Sequence, residues 1–280
     1  MRRETFNLER QLPSVHYDSL QKYLQISKHL LPRGDPALLR PILRHPDLRP
    51  SNIFVSDSFE ITSLIDWQSS VVLPLYLQSG IPGDLDNSMD SESKELRLPS
   101  LPRDFNDLPG PDRERQLELL AKRQSHHLYM TETAEKNPKH FDAMNYPYSI
   151  GRRKLFQLSS APWQGDNIPL RSSLIFVKQN WRDFCGSSNI LCPITFTDEE
   201  ESECLRLDEL EQGAEEQLEA SKAMLGLGPE GWVSHDNYEA SQAAISRMKL
   251  MCLEQADSEI EKTAIMDHWI FDDMDEDEYL

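Results

Sequence analysis

Between Arg44 and Trp67 the sequence RHPDLRPSNIFVSDSFEITSLIDW sets His45, Asp47, Asn52 and Asp66 around two short apolar runs, and no other stretch limits the fold as tightly. A helix here would put Asp47 and Asn52 on different faces and bury Asn52 beside Ile53, Phe54 and Val55 without a partner. The apolar run 53 to 55, the turn formers Ser56, Asp57 and Ser58, and then Ile61, Leu64 and Ile65 instead predict two short strands joined by a tight turn. Asp47 and Asn52 then lie on the loop that enters the hairpin, and Asp66 lies where it leaves. The three polar groups are expected to converge at one end.

Such a convergence has a chemistry. Phosphoryl transfer needs a carboxylate beside the attacking hydroxyl and oxygen ligands that hold Mg²⁺ against nucleotide phosphates. The order His45-Pro46-Asp47-Leu48-Arg49-Pro50-Ser51-Asn52, followed by Ile65-Asp66-Trp67, matches the kinase order H-R-D-L-x-x-x-N and a later Asp-led motif. Pro46 and Trp67 depart from protein kinases. With these residues the chain resembles the aminoglycoside phosphotransferase-like family. Within that family, HPDLRPSNIFVSD and ITSLIDWQSSVVLPLYLQSGIP are similar to fungal proteins of the altered-inheritance-of-mitochondria type, as are GWVSHDNYEAS and the ending WIFDDMDEDEYL. The resemblance implies Asp47 as catalytic base, Asn52 and Asp66 as Mg²⁺ and nucleotide ligands, and His45 as a buttress of the loop. It further implies ATP and Mg²⁺ as cofactors, a small-molecule hydroxyl as acceptor, and a mitochondrial location, although no transit peptide is recognisable near Met1.

The rest of the chain predicts an α+β, mostly helical fold with a small β-hairpin, which the resemblance implies to be a kinase-like C-terminal lobe with its catalytic-loop hairpin. Residues 1–78 carry the core with the catalytic loop and metal motif. Residues 79–112, rich in Ser, Pro, Gly and Asp, form a surface excursion, residues 113–271 a helical remainder, and residues 272–280 an acidic tail. Helices are expected over residues 15 to 31 with Ser14 as cap, and from Asp35-Pro36 to about Leu43. Others are expected from Asp112 to about Lys136 with Leu117, Leu120, Ala121 and Leu128 inward, and over about 172–184, 202–225 and 236–266. His126 and His127 are expected on a helix surface, and the tryptophans in packing roles. Gly226-Leu227-Gly228-Pro229-Glu230-Gly231 matches G-x-G-x-x-G, but it follows a helix and contains a proline without an amide, so it reads as a helix stop.

Composition excludes several classes. A formal charge of −19 repels a phosphate backbone, so neither nucleic acid nor an anionic membrane surface is expected as a partner. No run of 18 apolar residues occurs, which predicts a soluble, intracellular chain without a membrane span. Four cysteines, at 185, 192, 204 and 252, lack zinc-ligand spacing and read as reduced thiols. No G-x-S-x-G elbow points to a hydrolase. Oligomeric state leaves no trace in the pattern, and an acidic lobe suits a cationic acceptor.

A kinase-like enzyme also needs an N-terminal lobe whose Gly-rich loop and lysine clamp the nucleotide. The 44 residues before the loop read as helical and supply no such sheet. Two expectations follow: an ATP-dependent phosphotransferase whose N-terminal lobe is missing here, or a catalytically inactive kinase-like remnant that serves as a binding module.

Overall fold

The computed structural model describes residues 11–186, 189–228 and 231–271. These form two compact units, one up to Leu205 and one from Arg206. Among the described residues helix dominates, and the strands form two small antiparallel sheets in the first unit.

Helix α1 (Pro13–Ser27) starts on Pro13, with extended Leu12 before it and no side-chain cap. Ser14 therefore lies inside the helix instead of capping it, because a proline loses no useful donor in the first turn and forces its predecessor to be extended. The second start signal works as read: the Asp35 carboxylate accepts the Ala37 N–H at 2.8 Å. The helix that follows, however, is only the 3-10 turn Pro36–Leu39. Pro41 holds Arg40 extended, and β1 (Pro41–Leu43) replaces the last helical turn expected there.

The hairpin is present. Strands β2 (Ile53–Val55) and β3 (Ile61–Leu64) pair antiparallel with an irregularity between Phe54 and Val55. A second sheet, which the sequence pattern did not announce, joins β1 to β4 (Val72–Pro74), with Ile42 opposite Leu73. This pairing returns the chain after Asp66 to the strand that precedes His45.

The remaining elements of the first unit are helical. Short helices α2 (Leu75–Gln78) and α3 (Ser91–Lys94) precede the long α4 (Gly110–Lys136). Then come α5 (Pro138–Met144), α6 (Ser149–Ser160), α7 (Ile168–Gln179) and α8 (Trp181–Cys185). The helix expected over about 172–184 is thus broken at Asn180. The main core gathers Ile26 and Leu30 with Leu155, Leu174, Ile175 and Phe184, and a smaller one gathers Leu38, Leu75, Tyr76 and Ala143 beneath the β1–β4 sheet.

Two expectations about α4 are corrected. Leu117 and Leu128 are exposed, whereas His126, only 3% exposed, and Met130 are buried. The cause is the segment 79–112, which folds back onto this face. Arg123 grips Asp90 bidentately at 2.8 and 3.0 Å and reaches Glu92 at 2.8 Å. Asn87 N–H and the Leu85 carbonyl both lie 3.1 Å from His126 Nδ1. The Arg123 guanidinium holds the Asp90 carboxyl down at about 2.

Helix α9 (Asp198–Met224) crosses the boundary between the units, and α10 (Tyr238–Gln255) and α11 (Glu259–Asp267) complete the second. The glycine-rich stretch begins as a helix stop: Gly226, at φ 71°, donates to Ala223, and Leu227 donates to Lys222 at 2.9 Å. That pair of bonds is the Schellman arrangement, which uses up the amides a phosphate would need. Pro229, Glu230 and the acidic stretch 272–280 lie outside the described residues. All four cysteines are thiols.

Candidate functional site

The site is assembled by the chain's exit from β1 and its return after β3. Arg44 closes β1, and its guanidinium donates to the Gln78 carbonyl at 2.6 Å, the Tyr129 hydroxyl at 2.8 Å and His140 Nε2 at 3.1 Å. Since arginine can only donate, His140 must accept with a bare Nε2. Burial first, then the Arg44 charge, pushes the His140 imidazole down to about 4.

His45 comes next and is 7% exposed. Its Nε2 lies 2.7 Å from the Ile65 carbonyl, which can only accept, so Nε2 carries the proton. Its Nδ1 takes the Asp47 N–H at 3.3 Å. The ring also meets the Trp67 indole edge-on at 4.7 Å. One imidazole thus ties the loop before Asn52 to the residues on both sides of Asp66, the buttress expected of it.

Asn52 ends the 3-10 turn Pro50–Asn52 and is 8% exposed. Its Nδ2 donates to the Asp47 carbonyl at 2.9 Å and lies 3.4 Å from Asp47 Oδ2. These bonds leave Oδ1, the atom a cation would take, outside the pairing. Asp47 itself is half-exposed, and its Oδ1 accepts Arg49 Nε at 2.8 Å.

Asp66 follows Ile65, whose N–H donates to the Asn52 carbonyl at 3.1 Å. It is exposed and sits in the left-handed region at φ 64°, a conformation that aspartate tolerates better than most residues. The backbone therefore delivers Asp66 beside Asn52. Among the described residues its side chain makes no hydrogen bond or ion pair with Asp47 or Asn52. The structure joins Asn52 to Asp47 directly and brings Asp66 alongside through main chain alone. The Asn52 Nδ2 protons are turned to Asp47, and the two carboxylates have no proton to share with each other.

The oxygens of Asn52 and Asp66 are hard donors of the type that Mg²⁺ accepts, and in that sense the residues fit the cation. No group of three or more His, Cys, Asp and Glu side chains able to hold a metal occurs among the described residues. Around the loop, Leu43, Phe54, Val55, Ile61 and Val72 are more than half exposed.

Sequence reasoning missed Arg49 and the Arg44–His140–Tyr129 cluster. Arg49 had a local signal, a cation two positions after the carboxylate. The cluster had none, because His140 is 96 residues from Arg44.

Comparison with known proteins finds fungal relatives. A subtelomeric hrmA-associated cluster protein of Aspergillus fumigatus, found in two strains, is 30% identical over 250 residues, covering 88% of this chain and 48% of that protein. Altered inheritance of mitochondria protein 9, mitochondrial, from Candida glabrata is 23% identical over 210 residues, covering 72% of this chain and 30% of the relative. The protein of the same name from Vanderwaltozyma polyspora is 24% identical over 241 residues, 83% of this chain and 34% of the relative. No family model matches the chain, and no solved structure matches it. The chain spans about half the length of the first of these relatives and about a third of the others, and it is distantly homologous to the altered-inheritance-of-mitochondria proteins of fungi.

Proposed function

We propose that this chain carries the catalytic-loop half of an aminoglycoside phosphotransferase-like kinase, one that moves the ATP γ-phosphate to a small-molecule hydroxyl. The observation that carries the reading is the Asn52 amide held at 2.9 Å on the Asp47 main chain while Ile65, the neighbour of Asp66, bonds to the Asn52 carbonyl. A turn that merely collected polar residues would not need a buried asparagine to fix a half-exposed aspartate.

In this reading Asp47 accepts the proton of the acceptor hydroxyl and orients its oxygen. Asn52 locks the backbone from which Asp47 projects, and His45 fixes the distance between the Asp47 turn and the Asp66 strand exit. Arg49 balances the Asp47 charge until a substrate hydroxyl takes its place. Mg²⁺, held by Asn52 Oδ1 and Asp66 with the ATP phosphates, would supply the charge that phosphoryl transfer requires. The exposed apolar rim formed by Leu43, Phe54, Val55, Ile61 and Val72 suits cover by a nucleotide-clamping lobe. By the names of its relatives we further propose a mitochondrial setting.

The test is ATP turnover over a panel of small hydroxyl compounds. It compares the 280-residue chain, the same chain joined to the part of the Aspergillus relative that this chain does not span, and the joined protein carrying Asp47→Asn. We expect turnover only from the joined protein. Asp47→Asn should lower kcat by about 100-fold or more with nucleotide affinity unchanged. An Asp47→Asn variant as fast as its parent would remove Asp47 from catalysis, and a folded joined protein without turnover would favour the inactive binding module.

A further inference from the structure

Arg152 and Arg153 are neighbours on α6 with opposite fates. Arg152 is buried, and three main-chain carbonyls, of Leu30, Pro147 and Phe184, take its Nη1, Nε and Nη2. Arg153, half-buried, has one hydrogen bond, to Ser79 Oγ at 3.2 Å, and no ion pair with a carboxylate among the described residues. Arg44 is close enough for its charge to act on Arg153, and its own partners, Gln78 O, Tyr129 and His140, are all uncharged. Two guanidinium groups thus stand together without an ion pair among the described residues, and the nearby Asp86 carboxylate acts on Arg153 through its charge alone.

Arg153 also lines a cavity of about 400 Å³. Buried Ser79, Ser93, His126 and Met130 form its inner wall, and exposed Met89, Lys94 and Ile150 stand at its edge. Asp86, also exposed, is the carboxylate of the lining, and its Oδ1 caps the Ser88 N–H at 2.9 Å. That volume lies in the range of small-ligand sites, where an apolar wall and a few convergent polar groups fix one orientation. A half-buried guanidinium with most of its five donors available prefers an oxyanion, which it can hold by two parallel bonds.

We infer that this cavity binds a small organic anion with an apolar body, its carboxylate or phosphate head taken by Arg153 and its body laid against Met130 and Ile150. Burial and then the Arg44 charge press the Arg153 guanidinium towards its neutral form, the Asp86 charge opposes them, and a bound oxyanion would add a directly paired negative charge that favours the cation. The inference concerns a site separate from the Asp47 loop and does not rest on the phosphotransferase reading.

Calorimetric titration of the 280-residue chain near pH 7.5 tests it, with sodium hexanoate, hexyl phosphate and hexanol as probes. Saturable binding of hexanoate or hexyl phosphate is expected, the stronger of the two identifying the head group, with hexanol at least tenfold weaker. Arg153→Gln should reduce the anion's affinity at least tenfold. Because that variant removes a half-buried side chain, an exposed pair supplies an independent reading: Ile150→Asp should weaken and Ile150→Lys strengthen anion binding. Hexanol binding as tightly as the anions, no saturable anion binding, a folded Arg153→Gln chain with unchanged affinity, or no opposite shift in the Ile150 pair would each overturn the inference.

Discussion

The imidazole of His45 stands with Nε2 2.7 Å from the carbonyl oxygen of Ile65, twenty residues on. This bond, with Nδ1 receiving the Asp47 N–H, makes His45 the cross-brace between the two limbs of the candidate site. His45→Ala removes both hydrogen bonds and the edge contact with Trp67, and leaves the Ile65 carbonyl without this donor. We expect a stability loss of about 2–3 kcal/mol in urea unfolding. A loss below about 0.5 kcal/mol would mean that the brace is dispensable.

Asn52 offers a test by charge. Its Nδ2 faces the Asp47 carbonyl oxygen and Oδ2, so Asn52→Asp exchanges a donor for a second acceptor beside an existing carboxylate. The expected cost is about 2–3 kcal/mol at pH 7, larger than for Asn52→Ala. At about pH 4, where carboxylates begin to protonate, the deficit should shrink, because the introduced carboxyl group, once protonated, can donate again. Parallel unfolding curves at the two pH values check this, and an Asn52→Asp variant no worse than Asn52→Ala at pH 7 contradicts it.

The hairpin and its polar ends were legible because two short apolar runs, a Ser-Asp-Ser turn and residues of fixed role lie within 24 positions. The β1–β4 sheet was not, since Pro41-Ile42-Leu43 has no turn and second run beside it and only Val72–Pro74, some thirty residues away, gives it a partner. Helices α5 and α6 went unannounced for a related reason. Tyr148, at φ 56°, turns the chain between them without glycine, and their inward residues, Ala143, Arg152 and Leu155, form no stripe that hydropathy alone would pick out. The inward face of α4 was misjudged because leucines were weighed above His126, whose partners at Leu85 and Asn87 come from a segment that looked like surface.

His140 fixes an acid limit. Its imidazole is neutral at pH 7 because burial and Arg44 press it to about 4, against about 6.5 in an unfolded chain. Between these values the unfolded chain binds more protons than the folded one, so stability rises with pH across this window. Acidification from pH 7 to 4 should therefore remove on the order of 2 kcal/mol through this group. His140→Gln, which can still present an acceptor to Arg44, should flatten that part of the stability profile. An unaltered profile would assign the acid sensitivity elsewhere.

Arg152 makes the sharpest claim about stability. Its side chain lies 5.0 Å from the Phe184 ring and 5.2 Å from the Tyr146 ring, and its three donor positions satisfy carbonyls from three separate segments: the end of the α1 region, the turn before α6, and α8. Burial presses its guanidinium towards the neutral form, and carbonyl dipoles rather than a carboxylate offset that cost. Arg152→Met preserves the length and apolar contact of the stem but leaves three inward carbonyls without donors. Each unsatisfied buried acceptor costs about 1–3 kcal/mol, so a total above about 3 kcal/mol is expected after partial relaxation. Arg152→Lys keeps the charge but, as a single point donor, cannot span three carbonyls or stack as a plane, and should fall between Met and wild type. Lys154→Ala, two residues on and exposed, should change stability by no more than about 0.5 kcal/mol. Urea unfolding of the three variants decides the matter: Arg152→Met within about 1 kcal/mol of wild type would show that the three segments hold together without the guanidinium.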